Sequence, residues 1–196
     1  CPRDAMQGWK EIIPTTQKID YINRLLTVGF EVIDCGSFVS PKAIPQMADT
    51  KEVLDALDLG NTKSKLSVVV ANESGAKKGA EHEKVDIIGF PFSISENFQH
   101  YNTNKTREEA FEMAKLIQDI ALTNEKELLI YFSMAFGNPY GEIYNVELVK
   151  EWTKRFADIG IKTINLSDTI GVAEKQVIKE LYETLIPQYQ DIEFGG

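Results

Sequence analysis

Helical periodicity and short apolar runs alternate along this chain with an even beat, the pattern required by a parallel sheet whose strands are joined by crossover helices. Ile19, Ile22, Leu25 and Leu26 share one helical face, predicting a helix over Thr16–Val28 that Gly29 stops. A strand is expected at Glu31–Cys35, then a turn-rich loop over Gly36–Pro45 and a helix through Val53, Leu54 and Leu57 that ends at Gly60. Strand Leu66–Ala71 leads to helix Gly75–Glu83, and strand Val85–Phe90 leads through a long polar loop to helix Thr106–Leu122. Strand Glu127–Ser133 with helix Val146–Ile159 and strand Lys162–Leu166 with helix Ala173–Leu185 complete five units, before a last strand opens at Ile192. The first helix lacks a strand of its own, so the chain reads as an interior piece of a longer polypeptide. We expect a single (β/α)8 TIM-barrel catalytic domain over residues 1–196, with its start and last units missing. A doubly wound open sheet is the alternative, but no glycine-rich phosphate fingerprint follows any strand, which weighs against dinucleotide binding.

A chain of 196 residues that is 43% hydrophobic and 26% charged can bury a substantial core. Its net charge of -9 argues against nucleic acid or an anionic membrane as partner, because both repel an acidic surface. The runs Leu66–Ala71 and Leu128–Phe132 are far shorter than the roughly 20 residues that a membrane helix needs. Two cysteines, Cys1 and Cys35, exclude a multiply bridged scaffold and suit a reducing, cytoplasmic setting.

Barrel enzymes collect catalytic groups where strands end, and there the chain carries Arg3 and Asp4, Asp34 and Ser37, Asn72, Ser133, and Asp168 with Thr169. Taken singly, an aspartate after a strand is as often a helix cap or turn residue, and Arg3–Asp4 as a bare pair reads more readily as a surface ion pair. If a strand ends near Pro2, Arg3 and Asp4 leave it in different directions, the base to clamp an anion and the acid to offer an oxygen to a hard divalent cation. His82 and His100 lie between polar neighbours and are not expected to be ligands, nor do they show a metal-binding spacing. Cys35 reads as a small core residue rather than a nucleophile. Phe92, Phe98, Tyr101 and Phe111 read as packing, with Phe98 and Tyr101 also able to flank a ligand, and Lys42, Lys77 and Lys78 are candidates for a coenzyme phosphate set against solvated lysines.

Read together, Pro2-Arg3-Asp4-Ala5-Met6-Gln7, Ser37-Phe38-Val39-Ser40-Pro41-Lys42, Pro45-Gln46-Met47-Ala48-Asp49 and Ser167-Asp168-Thr169-Ile170-Gly171-Val172 resemble, in order, the signature stretches of the 3-hydroxy-3-methylglutaryl-CoA lyase family. The resemblance implies a retro-Claisen cleavage of an acyl-CoA substrate, a divalent cation (Mg or Mn) as cofactor and a homodimer. It further implies catalytic roles for Arg3, Asp34 and Asp168, a metal ligand in Asp4, and substrate contacts from Gln7, Ser37, Asn72, Ser133 and Thr169. In this picture Arg3 neutralises the developing enolate, Asp168 orients the reacting hydroxyl or carries its proton, and Arg3, Asp4 and Asp168 meet around the cation. The family's remaining ligands, an H-x-H pair and an asparagine, and its glycine-rich loop with an acid–base cysteine, would lie beyond Gly196.

Two departures stand out. The family commonly has R-D-G-L-Q where this chain has Arg3-Asp4-Ala5-Met6-Gln7, and a glutamate where it has Asp34. One methylene shorter, Asp34 is expected to hold Arg3 less directly or through a water. Gly137-Asn138-Pro139-Tyr140 keeps the family's G-x-P-Y outline without its cysteine. The competing readings are a related acyl-CoA condensing synthase, of the isopropylmalate or homocitrate type, and a non-catalytic acyl-CoA-binding paralogue.

Overall fold

The computed structural model describes residues 1–60 and 62–196. Its elements run α1 (Pro2–Gln7), α2 (Thr15–Leu26), β1 (Val32–Ser37), a 3-10 turn (Pro45–Met47), α3 (Thr50–Ala56), β2 (Lys65–Val69), α4 (Glu73–Glu81) and β3 (Ile87–Ser93). They continue with α5 (Glu96–Thr103), α6 (Arg107–Thr123), β4 (Glu127–Ser133), α7 (Val146–Asp158), β5 (Thr163–Leu166), α8 (Lys175–Gln188) and β6 (Glu193–Gly195). The described residues group into two compact units, Cys1–Gly89 with Ile120–Glu127, and Phe90–Asp119 with Leu128–Gly196.

In the first unit β1 pairs parallel with β2, and β2 with the opening residues of β3. Their helix-facing side chains make a core of Ile22 and Leu26 from α2, Ile33 and Cys35 from β1, Val53 and Leu54 from α3, and Leu66 and Val68 from β2. Each buried aliphatic side chain contributes about 1.5–3 kcal/mol against exposure to water, which is what holds the short α3 in place. The ladder slips once: Asp34 partners Ser67, but the next partner pair is Gly36 with Val68, so Cys35 is a bulge residue. In a regular strand Asp34 and Ser37, three apart, face opposite sides; the bulge returns both to the face shared with Ser67 and Val69. Gly36 is required beside this irregularity, because a Cβ there would come within 2.5 Å of the Thr50 side chain. Gly75 serves the same purpose for α4, whose approach to the chain after β1 would put a Cβ 2.6 Å from the Phe38 carbonyl oxygen.

In the second unit β4 pairs parallel with β5, and β5 with β6. Burial along β4 alternates: Leu128, Ile130 and Phe132 are buried under the helices, and the residues between them are partly exposed. The core here is aromatic. Phe92 lies 4.6 Å from Trp152, 5.0 Å from Phe156 and 5.6 Å from Phe132, centroid to centroid, in the tilted and edge-on arrangements that ring quadrupoles favour.

Local chemistry explains where several helices begin. Asn72, Ser95 and Asn145 cap α4, α5 and α7, each side-chain oxygen accepting from an amide three residues on. The expected beat is present, with element ends shifted by a few residues. Two helices depart from the sequence reading. The stretch expected as a polar loop after β3 contains α5, whose single buried residue, Gln99, bonds the Ser93 amide at 2.7 Å instead of supplying an apolar stripe. Arg3 and Asp4 sit not at a strand end but on α1, opened by Pro2, whose fixed φ suits a first helical turn. No helix among the described residues is long and apolar enough to cross a membrane.

Candidate active site

In the first unit, α1 packs on β1 and brings the guanidinium of Arg3 onto the carboxylate of Asp34. Nη2 donates to Oδ2 at 2.8 Å, and Nε donates to Oδ2 at 3.1 Å and Oδ1 at 3.3 Å. The expectation that a carboxylate one methylene short of glutamate would hold Arg3 indirectly is therefore overturned. A helix, not a strand end, carries Arg3, and this brings the guanidinium close enough for direct contact. On its other side Nη1 donates to Gln7 Oε1 at 3.0 Å, one helical turn along, and to Asp4 Oδ1 at 3.3 Å. The Cys1 thiol donates to Asp34 Oδ2 at 3.0 Å.

Burial divides the roles of these groups. The side chains of Arg3 and Asp34 are 13% and 8% exposed, whereas that of Asp4 is 70% exposed. Burial pushes the Asp34 carboxyl above its ordinary range, outweighing the downward pull of the Arg3 hydrogen bonds and charge. The cluster is thus a fixed cation whose counter-ion is held out of water, flanked by a carboxylate that solvent reaches. Asp4 is a hard oxygen donor open to a divalent cation. Among the described residues no three His, Cys, Asp or Glu side chains are grouped as a cation site.

Two further residues expected in the substrate pocket of this unit are engaged by backbone. The buried Ser37 hydroxyl donates to the Val69 carbonyl at 3.1 Å and accepts from the Val39 amide at 3.2 Å, closing the turn that leaves β1. Asn72 accepts from the Gly75 amide at 2.9 Å as the cap of α4, the reading in which such a residue serves the helix.

In the second unit, Asp168 closes its own loop. Oδ2 accepts from the Ala173 amide at 3.0 Å and Oδ1 from the Val172 amide at 2.9 Å, and these bonds hold the carboxyl below its ordinary range. Thr169 Oγ1 accepts from the Met134 amide at 2.8 Å, and the Ser133 carbonyl accepts from the Ile94 amide at 3.0 Å. Met134, between them in sequence, has φ of 57°, a left-handed conformation that is costly for a side chain as large as methionine. Nothing in a linear reading signals that strain.

Other expectations resolve simply. Cys35 is buried, its thiol donates to the Ser67 carbonyl at 3.4 Å, and burial pushes its pKa well up, as suits a core residue. His82 is buried and bonds Asp55 at 3.0 Å. Lys77 pairs with Glu73, and Tyr101 is 75% exposed with its ring 5.8 Å from that of Tyr140. Sequence reasoning missed two buried polar residues of the first unit, Lys18 and Gln46, each 2% exposed. The tight P-Q-M-A-D spacing was the only signal that pointed near them.

The HMGL-like family model matches residues 1–194. The mitochondrial hydroxymethylglutaryl-CoA lyase of Macaca fascicularis is 35% identical over 191 residues, which make up 95% of this chain and 57% of that protein. The crystal structure of the Bacillus subtilis HMG-CoA lyase matches with a TM-score of 0.91 at 28% identity, covering 98% of this chain and 65% of the other. That of an HMG-CoA lyase from Acinetobacter baumannii in complex with coenzyme A and 3-methylmalate matches with a TM-score of 0.90 at 27% identity, covering 98% and 63%. The chain therefore spans a little over half the length of the curated relative and under two thirds of each solved one. Its α/β fold is that of these TIM-barrel lyases, with six strands of the barrel among the described residues.

Proposed function

The chain belongs to the HMGL-like family, and from that premise we propose that the whole protein is a divalent-metal-dependent lyase cleaving 3-hydroxy-3-methylglutaryl-CoA to acetyl-CoA and acetoacetate. The observation that carries this reading is the Arg3 guanidinium, fixed against the buried Asp34 and braced by Gln7 one turn along α1. Retro-Claisen cleavage needs such a group. As the bond between C2 and C3 breaks, its electron pair moves toward the thioester and forms an enolate, and a cation already in place stabilises that charge without reorganising. The tertiary hydroxyl gives up its proton, which the ionised Asp168 carboxylate can take up or pass to solvent, and its carbon becomes the ketone of acetoacetate. Protonation of the enolate at carbon then yields acetyl-CoA.

Within this reading Arg3 stabilises the enolate oxygen, Asp34 holds Arg3, and Gln7 sets the rotation of the guanidinium. Asp168, kept ionised by backbone amides, accepts from and orients the reacting hydroxyl. Ser37, Asn72, Ser133 and Thr169 belong to the same proposal as substrate contacts. Asp4 would supply one oxygen ligand to Mg or Mn, and a cation held there would make the substrate hydroxyl more acidic. A homodimer in a reducing cytoplasmic setting belongs to the same proposal, and two free cysteines are in keeping with it.

The test is acetyl-CoA release from 3-hydroxy-3-methylglutaryl-CoA by the full-length protein with Mg or Mn. Arg3→Gln is expected to lower kcat by about 10²–10³-fold, the usual effect of removing one electrostatic contact to an oxyanion. Wild-type turnover in Arg3→Gln removes Arg3 from the mechanism. Condensation of acetyl-CoA with a 2-oxo acid, without cleavage, overturns the lyase reading.

A further inference from the structure

The P-Q-M-A-D stretch carries none of the chemistry above, yet it contains some of the most densely bonded polar side chains of the first unit. Gln46 is 2% exposed, and all of its side-chain bonds go to the backbone of the segment that follows α1. Its Oε1 accepts from the Ile13 amide at 2.9 Å, and its Nε2 donates to the Glu11 carbonyl at 2.9 Å and the Trp9 carbonyl at 3.3 Å. Lys18 of α2, equally buried, donates from Nζ to the Gln46 carbonyl and, at 2.7 Å, to Asp49 Oδ1. Asp49 Oδ2 also accepts from Thr15 Oγ1 at 2.8 Å.

The same short segment grips β1. Thr50 Oγ1 accepts from the Ser37 amide at 3.0 Å and donates to the Met47 carbonyl at 2.8 Å, and Gly36 leaves room for the Thr50 methyl. Gln46–Thr50 therefore holds the chain leaving α1 with one hand and the end of β1 with the other. Those two elements carry Arg3 and Asp34.

We propose that Gln46, Asp49 and Lys18 are positioning residues: they form a bracket that sets α1 against β1, and with it the Arg3–Asp34 contact on which cleavage depends. Burying a lysine ammonium and a primary amide is costly unless each is bonded, so the bracket is either complete or strongly unfavourable. That property fits a device that must hold one geometry. Loops that only connect elements are usually held by their own turn bonds. Here the segment between α1 and α2 is instead tied to a distant stretch, while its own Trp9 and Ile12 remain 64% and 61% exposed. It is anchored through its backbone and not by burying its side chains.

The inference rests on the reading of Arg3 given above, and the experiment separates the two. In the full-length protein, Gln46→Met keeps the volume of the side chain and removes its three bonds. Hydrogen exchange at the Ile13 amide is expected to accelerate by about 10-fold, the loss of roughly one hydrogen bond. The amides of β5 in the second unit should stay as protected as in the wild type. At a temperature where thermal unfolding shows the variant fully folded, kcat should fall by about 10- to 100-fold, as for a misplacement near 1 Å, with KM changed by less than about threefold. Thr15→Val, which deletes only the bond to Asp49, carries the same test in milder form if Gln46→Met does not fold. Faster exchange at Ile13 with unchanged kcat overturns the positioning role, and unchanged exchange overturns the bracket itself. With Arg3→Gln assayed alongside, an inactive Arg3→Gln beside a fully active Gln46→Met sinks only the bracket. An active Arg3→Gln sinks both.

Discussion

Arg3 and Asp34, 31 residues apart in the chain, share a largely buried, two-pronged ion pair: both Nε and Nη2 of the arginine reach the same carboxylate oxygen, at 3.1 and 2.8 Å. Removing one partner of such a pair leaves the other charge desolvated and alone, which typically costs about 3–5 kcal/mol. Asp34→Ala, which leaves Arg3 with no acceptor at that position, is expected near the lower end of that range, because Gln7 and Asp4 still accept from Arg3. Urea or thermal unfolding of the full-length protein measures the loss, and an effect below about 1 kcal/mol would show that the pair is not what holds α1 on β1.

The same pair has a titration signature. Burial raises the folded-state pKa of Asp34, so between its unfolded and folded values the native state binds a proton that the unfolded chain has released. Its contribution to stability is therefore fully present below the unfolded pKa and declines as pH rises through the folded one. The opposing, downward pull comes from Arg3, so Arg3→Gln should move the Asp34 midpoint still higher. Carboxyl-carbon NMR titration of both proteins would detect this, and a downward move would contradict the assigned causes.

Asp4 is the outlying carboxylate of the cluster, with a side chain 70% exposed. Asp4→Ala should leave the thermal unfolding temperature almost unchanged while weakening Mg or Mn binding by about 10-fold or more, as measured by calorimetry on the full-length protein. Unchanged metal affinity would remove Asp4 from the ligand set.

Asp168 responds to pH in the opposite sense to Asp34. Amide bonds from Ala173 and Val172 depress its folded-state pKa, so its stabilising contribution is present above the unfolded carboxylate pKa and is lost as pH falls through the lower folded one. Asp168→Asn should therefore melt below wild type at neutral pH and converge with it in strong acid. Parallel melting curves at every pH would show that the loop closure is not maintained by that charge.

Phe92 touches three aromatic partners in the core of the second unit. Phe92→Ala should cost about 3–5 kcal/mol through lost transfer energy and the cavity left behind. A loss under 1.5 kcal/mol would imply that Trp152 and Phe156 collapse into the space, which near-UV circular dichroism would report.

Apolar periodicity is a local property, and so the alternation of strand and helix, including the strand that became β4, was legible in linear order, whereas Asn72, expected as a substrate contact, turned out to cap α4. The short motifs drew attention to Arg3, Asp4, Asp34 and Asp168 for the same reason, but the strand end expected before Arg3 is a helix. α5 was not legible, because its one buried side chain is a glutamine that bonds backbone and leaves no apolar stripe to read. The direct grip of Asp34 on Arg3 was likewise hidden, since reach across 31 residues depends on how a helix lies on a strand and not on side-chain length alone. The bulge at Cys35 turns Asp34 and Ser37 to one face only through the register with β2. Lys18 and Gln46 look like surface residues until folding places a carboxylate and backbone groups around them. Sequence patterning determined the alternation of strands and helices, though not α1 or α5. The contacts between residues distant in sequence decided which polar groups are buried and therefore what each can do, because desolvation and hydrogen-bond partnership exist only after the chain has closed on itself.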